Sequence, residues 1–245
     1  MPLLSEAQIR AMMPLAGDRL TPHLPYINPA MQEGGITTPR RIAAFMAEVA
    51  HESGEYKYMR EIADGSAYEG RLDLGNTQPG DGRRYPGRGA IQNTGRGVAR
   101  ALGMFFKMPF EDHPELMELP EWATRVSVWF WNDKAGGLSP LADVDWFVTI
   151  SRFVNGGDNG LKERIDYWTR NRRILGLPAV EPMTWDVATA KAFQSRHDLV
   201  ADGDVGPKTL AAWEADAVKV FQCAHGLLAD GKVGNRTLAA LRSAA

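Results

Sequence analysis

The stretch TPRRIAAFMAEVAHESGEYKYMREI, residues 38–62, decides the fold class. Thr38 and Pro39 supply a cap and a first-turn proline, and Ile42, Phe45, Met46 and Val49 follow at i, i+3, i+4, i+7 spacing. That pattern predicts a helix ending near Glu52, because Gly54 stands in the C-cap region. Another helix opens at Pro120 and carries Trp122, Val126, Trp129 and Phe130, and two more are expected over 145–154 and 161–175. Alternation of the β type is scarce. The expected fold class is therefore mainly α.

The whole chain has 245 residues, with 44% hydrophobic and 24% charged, the balance of a globular protein with a real core. Its 28 Lys and Arg against 30 Asp and Glu leave a net charge of −2, without the basic excess of a nucleic-acid or membrane-surface binder. Cys223 is the one cysteine, so no intramolecular disulfide can form. Residues 1–20 are broken by Glu6, Arg10, Pro14 and Asp18 and contain neither a signal-peptide apolar run nor a membrane span. No nucleic acid, no membrane anchor, no metal and no cofactor are expected, and a monomer is.

A repeat organises the end of the chain. AKAFQSRHDLVADGDVGPKTLAAW (190–213) overlays VKVFQCAHGLLADGKVGNRTLAAL (218–241) at a shift of 28 residues. Phe193/Phe221, Gln194/Gln222, His197/His225, Asp202/Asp230, Gly203/Gly231 and Thr209/Thr237 match, among others. Each copy reads as helix, turn, helix, with AspGly as the turn. LGLPAVEPM (175–183) has two prolines and no helical period, which makes it the linker. The expected organisation is a domain over 1–177, a linker at 178–182, and a second domain over 183–245.

Polar residues with chemical potential gather between 50 and 95, where glycine and proline are dense. A long polar loop in a helical domain is more often functional than neutral. Glu52 ends an apolar helix, where the negative end of the helix dipole and partial desolvation favour a protonated, proton-donating carboxyl. Glu61, in the polar sequence MREIADGS, suits an ionised base. Two carboxyls in unlike surroundings are what glycosidic hydrolysis requires, although on spacing alone two surface glutamates remain the ordinary alternative. The His51-Glu52 pair lacks the second histidine of a zinc helix, and the glycines of 80–89 match no phosphate-cradling pattern. Asp202-Gly-Asp204 hints at calcium, but Lys232 replaces Asp204 in the second copy, so a turn is the better reading. His197 and His225 read as structural or surface residues. Trp122, Trp129, Trp131 and Trp146 read as core rather than as a sugar platform.

Three blocks, AHESGEYKYMREI (50–62), LGNTQPGDGRRYPGRGAIQNTGR (74–96) and FVNGGDNGLKERIDYW (153–168), together resemble the glycoside hydrolase family 19 domain, nearest to its phage endolysin branch. The 190–241 repeat is similar to the peptidoglycan-binding module of cell-wall hydrolases. The resemblance implies a lysozyme-like α fold and an inverting mechanism, with the catalytic carboxyls about 6.5–9.5 Å apart to admit a water. It implies Glu52 as general acid, Glu61 as general base and Thr94 as the hydroxyl that positions the water. Gln92 and Asn155 are then substrate-contacting amides, Arg164 supports the acid electrostatically, and Tyr85 and Arg88 lie in the cleft-lining block.

Some positions depart from the family. Val98-Ala99 replaces its usual AsnTyr, Asn159 stands where plant relatives carry an acid, and the spacing between the glutamates is shorter. These features favour a phage-type lysin over a secreted chitinase. The expected activity is that of a muramidase on bacterial peptidoglycan, held in a host cytoplasm until release to the wall. A chitinase and a non-catalytic wall-binding protein are the alternatives.

Overall fold

The computed structural model describes residues 2–133 and 136–244. Among them the chain forms helices joined by turns, and the extended pairings are two isolated bridges, Arg60 with Arg88 and Arg88 with Asn93. The principal helices are α1 (Glu6–Met12), α2 (Leu24–Glu33), α3 (Pro39–Ser53), α4 (Arg96–Phe106) and α5 (Pro120–Asp133). They are followed by α6 (Phe147–Asn155), α7 (Leu161–Ile174), α8 (Val187–Arg196), α9 (Pro207–Ala224) and α10 (Asn235–Ala244). The proline-opened helices begin where the sequence places them, at Pro39 and Pro120.

The chain divides into two compact units. One holds residues 1–38 and 45–133; the other holds 39–44 and 134–245. Compactness therefore parts the chain near 133–134, and the proline stretch 178–182 lies inside the second unit. Arg172 explains why that stretch is not a loose tether, since its guanidinium donates to Pro178 O at 2.8 and 3.2 Å and pairs with Asp145.

In the first unit the apolar stripe of α3 is fully buried at Phe45, Met46 and Val49, and Phe45 meets Trp131 of α5 edge to face at 5.6 Å. Burying each such side chain contributes about 1.5–3 kcal/mol. Tyr85, Leu102, Phe110, Met117 and Val126 form a further core beneath the 54–95 segment. Trp131 and Trp146 are core residues, as their spacing suggests.

After α3 the backbone makes a left-handed reversal, with positive φ at Gly54 (55°), Glu55 (57°) and Tyr56 (61°). Each non-glycine residue there costs about 1–2 kcal/mol. Local bonds offset the strain. Ser53 Oγ accepts from Tyr56 N at 2.8 Å, Glu55 N donates to Ala50 O, and the buried Tyr56 hydroxyl meets Thr124 Oγ1 at 2.7 Å.

In the second unit Phe147 stacks on Trp168 at 4.7 Å, and Trp146 meets Phe221 edge to face. The two repeat copies share one helix: α8, a turn, α9, a second turn and α10.

Candidate active site

Glu52 lies in the last turn of α3 and is half-buried, at the mouth of the reversal. The reversal leads to Glu61, which is half-buried and held on both oxygens. Tyr68 donates its hydroxyl to Oε1 at 2.8 Å, and Gly87 N donates to Oε2 at 3.0 Å. Glu61 N in turn donates to Gly87 O at 2.8 Å. An ionised carboxylate has about four lone-pair positions, so each oxygen keeps one for a water. Burial, then the neighbouring Glu61 carboxylate, pushes the Tyr68 hydroxyl up, which keeps it a donor.

Gly87 has no room for a side chain. A Cβ there would stand 2.8 Å from Gln92 Oε1 and 3.3 Å from Thr94 Oγ1. The same glycine thus touches Glu61, Gln92 and Thr94, and gathers three of the sequence-derived site residues in one place. Gln92 has a left-handed φ of 50° and spends its amide hydrogens on Tyr58 O (2.9 Å) and Gly89 O (3.0 Å), with Oε1 turned to Gly87. Thr94 Oγ1 donates to Gln92 O at 3.0 Å. With its proton committed, that hydroxyl offers lone pairs, which suits it to accept from a water.

Tyr68 was not found from sequence, because nothing periodic marks it. Its placement depends on Asn76, which is fully buried: Asn76 Nδ2 donates to Tyr68 O at 2.8 Å while its Oδ1 accepts from Arg96 N at 2.8 Å. Arg96 anchors the block further through Asp81, at 2.5 and 2.9 Å, and through Glu111 at 3.1 Å.

Two of the cleft-lining expectations are corrected. Tyr85 is only 2% exposed, packs in the apolar core and gives its hydroxyl to Glu111 O at 2.7 Å. Arg88 is 4% exposed, pairs with Glu118 and donates to Arg84 O at 3.2 Å, and burial lowers its guanidinium to about 10. Both build the floor of the loop block instead of presenting a face to a sugar. The cause is packing: this irregular loop turns polar side chains inward to satisfy its own backbone.

Asn155 and Arg164 belong to the second unit. Asn155 is half-buried at the end of α6 and donates to Asn159 O at 3.3 Å; Arg164 is buried in α7 at 2% exposure.

The repeat signature has a structural meaning. Gln194 Nε2 donates to Asp202 Oδ1, Asp204 O and Thr209 Oγ1, and its Oε1 accepts from Gly203 N. Gln222 does the same with Asp230, Lys232, Thr237 and Gly231. His197 and His225 stack on Phe193 and Phe221 at 4.2 and 4.0 Å, and His197 also pairs with Asp216. Among the described residues no group of three or more metal-ligating side chains is assembled, and no helix is long and apolar enough to cross a membrane.

A helical body with glutamates flanking a left-handed reversal, followed by a two-copy repeat, has the fold of the family 19 chitinases joined to a peptidoglycan-binding module. Residues 215–241 match the family described as "Putative peptidoglycan binding domain". Chitinase C from Streptomyces griseus HUT6037 superposes with a TM-score of 0.61 at 26% identity, over 71% of this chain and 93% of that one. An Arabidopsis thaliana endochitinase is 33% identical over 150 residues, covering 58% of this chain and 50% of that protein. A glycosyl hydrolase family 19 domain-containing protein of Haemophilus influenzae is 26% identical, over 56% of this chain and 82% of that protein. The chain spans about half the length of the plant relatives it matches first. Its homologues and its structural neighbours are thus glycoside hydrolases of family 19.

Proposed function

We propose that this chain hydrolyses the β-1,4 bond between N-acetylmuramic acid and N-acetylglucosamine in bacterial peptidoglycan, as an inverting muramidase of the endolysin type. The observation that carries the reading is the union of a family 19 chitinase fold with a peptidoglycan-binding repeat in one chain. Glu52 protonates the leaving glycosidic oxygen. Glu61, fixed by Tyr68 and Gly87, takes a proton from the attacking water, and Thr94 accepts that water's other hydrogen. Attack from the opposite face inverts the anomeric centre. The enzyme waits in a host cytoplasm and works once it reaches the wall.

Reducing-end release from purified peptidoglycan tests this. Wild type should release products whose mass spectra carry a reducing muramic-acid end, and Glu52→Ala should release at least a hundredfold less, the low end of general-acid contributions of about 10²–10⁴. Undiminished release by the variant sinks the assignment. A chitinase is the second reading, favoured by relatives named endochitinases. Faster turnover of chitin oligomers than of sacculi would select it.

A further inference from the structure

Helix α5 has a second working face within the first unit. Arg125, Val128, Trp129 and Asn132 lie at i, i+3, i+4 and i+7, so they share one side of the helix. Ser127 lies round the other side, where its hydroxyl accepts from Ile91 N at 3.0 Å and braces the loop that carries Gln92 and Thr94. The first face lines a cavity of about 420 Å³, together with Phe105 and Phe106 from the end of α4 and Glu33 from the end of α2. None of Glu52, Glu61, Gln92 and Thr94 borders it. Its volume is that of a ligand pocket, for which about 300–1,000 Å³ is usual.

The rings around this cavity are held in place beforehand. Trp129 packs against the apolar core of Tyr85 and Val126 but is only half-buried, so it departs from the plain core position that its spacing suggests. Phe105 is 66% exposed, an aromatic ring left in water, and Phe106 braces it edge to face at 4.8 Å. Only a glycine fits where α2 comes down on α5, because a Cβ on Gly34 would stand 2.1 Å from Val128 Cγ1. The polar groups are fixed as well. The Arg125 guanidinium donates to both Glu33 oxygens at 2.9 and 3.0 Å, and Asn132 Nδ2 donates to Gly34 O at 3.0 Å. Asp133 stands exposed beside them.

Flat apolar rings edged by carboxylates, an amide and a guanidinium match a pyranose. The C–H face of the sugar packs on the rings, while its hydroxyls donate to carboxylate and accept from guanidinium. The acetamido methyl of an N-acetylated sugar adds apolar surface. Two carboxylates against one guanidinium leave the lining negative, which repels an acidic sugar or peptide and admits a neutral one. We propose that this pocket is a second saccharide site, which takes an N-acetylglucosamine unit of the glycan on the side of α5 away from the catalytic loop. It keeps an insoluble strand beside the enzyme while the cleft cuts. The site rests on the glycoside hydrolase reading but not on the choice between peptidoglycan and chitin, since both contain N-acetylglucosamine.

The test follows the indole N–H signals of the seven tryptophans by NMR in the full chain carrying Glu52→Gln, which stops hydrolysis, as the N-acetylglucosamine tetramer is added. The Trp129 signal is identified by its absence in Trp129→Phe. It should shift and saturate, and Phe105→Ala and Asp133→Asn should each weaken that saturation about tenfold, the loss of one stacking or charge-assisted contact. Both side chains are exposed, so thermal melts of the two variants should match the parent and separate lost binding from lost folding. With Glu52 intact, Phe105→Ala should lower release from insoluble glycan about threefold more than release from soluble fragments. A Trp129 signal that stays still at millimolar tetramer overturns the site, and so does one that saturates equally in parent, Phe105→Ala and Asp133→Asn. Displacement of the tetramer by tetramethylammonium overturns it too, because the pocket is then a cage for cations. Undiminished release by Glu52→Ala, by contrast, sinks the catalytic reading and leaves the Trp129 result standing.

Discussion

Asp81 in the first unit and Glu214 in the second are both buried carboxyls, 1% and 4% exposed, yet they face acid in opposite ways. Asp81 meets the Arg96 guanidinium, which holds it below the usual carboxylate range. Glu214 accepts from Val148 N (2.8 Å) and Thr149 N (2.7 Å) at the first turn of α6, and desolvation pushes it up to about 7 against those bonds and the attraction of Arg152. Two backbone donors satisfy the oxygens without supplying a full charge. At Asp81 the cation in contact keeps the acid ionised, whereas at Glu214 desolvation outweighs the two backbone donors.

The largest effect should come from breaking the ionic side of this comparison. Arg96→Ala leaves Asp81 buried without its cation and should cost about 3–5 kcal/mol in denaturant unfolding. Arg96→Lys should recover little of it, because the fork that reaches Asp81, Gln78 and Glu111 is lost. The Arg96 backbone N–H that holds Asn76 is kept in either variant, so the chain from Asn76 through Tyr68 to Glu61 survives and activity of the folded protein should fall less than stability. A loss under 1 kcal/mol would mean that Asp81 is not held by charge.

The next effect is one of sign. Glu214 has a folded value near 7, above its ordinary 4.5, so the native state binds the extra proton between those pH values. The Glu214 contribution to stability therefore falls as pH rises from about 4.5 to 7, by on the order of 3 kcal/mol, and Glu214→Gln should remove that contribution. Glu111 is pulled down to about 2, first by its hydrogen bond to Arg100 and then by Arg96. Its contribution is present above 4.5 and is lost as pH falls towards 2. His23, which burial lowers to about 4, acts in the opposite sense and adds stability as pH rises from about 4 to 6.5. The Glu214 effect is therefore read as the difference between the melting curves of wild type and Glu214→Gln from pH 4.5 to 7, and parallel curves would contradict the assignment for Glu214.

These two networks also mark how far the sequence could be read. The helices α3 and α5 were legible because Ile42, Phe45, Met46 and Val49, or Trp122, Val126 and Trp129, repeat at the helical period. Glu52, Glu61, Gln92 and Thr94 were legible as members of family-like blocks. Asn76, Tyr68 and Arg96 were not, because their bonds join positions 7 to 20 apart in an irregular loop and leave no period. Tyr85 and Arg88 were misread for a related reason: polar types in a glycine-rich segment suggest exposure, while this loop packs them inside.

The repeat module gives the opposite lesson, since its lock was written twice and so showed as identities. Gln222→Ala removes four hydrogen bonds around a buried amide and should cost about 2 kcal/mol. Gln194→Ala should match it, because the partners are the same. If the second variant is much milder, contacts outside the lock support the first copy.

The smallest effect sharpens the comparison most. Arg71 and Asp73 approach to 2.5 Å, the same distance as Arg96 and Asp81, and each shifts its partner in the stabilised direction. Their side chains, however, are 50% and 61% exposed, against 11% and 1% for the other pair. Water solvates the separated charges of an exposed pair nearly as well as the charges solvate each other, and holding two mobile side chains together costs entropy. Arg71→Ala should therefore leave the melting midpoint unchanged. Arg96→Ala, which breaks a bond of equal length between the same groups, should lower it steeply. Similar midpoints for the two variants would show that distance and not burial sets the energy of these pairs.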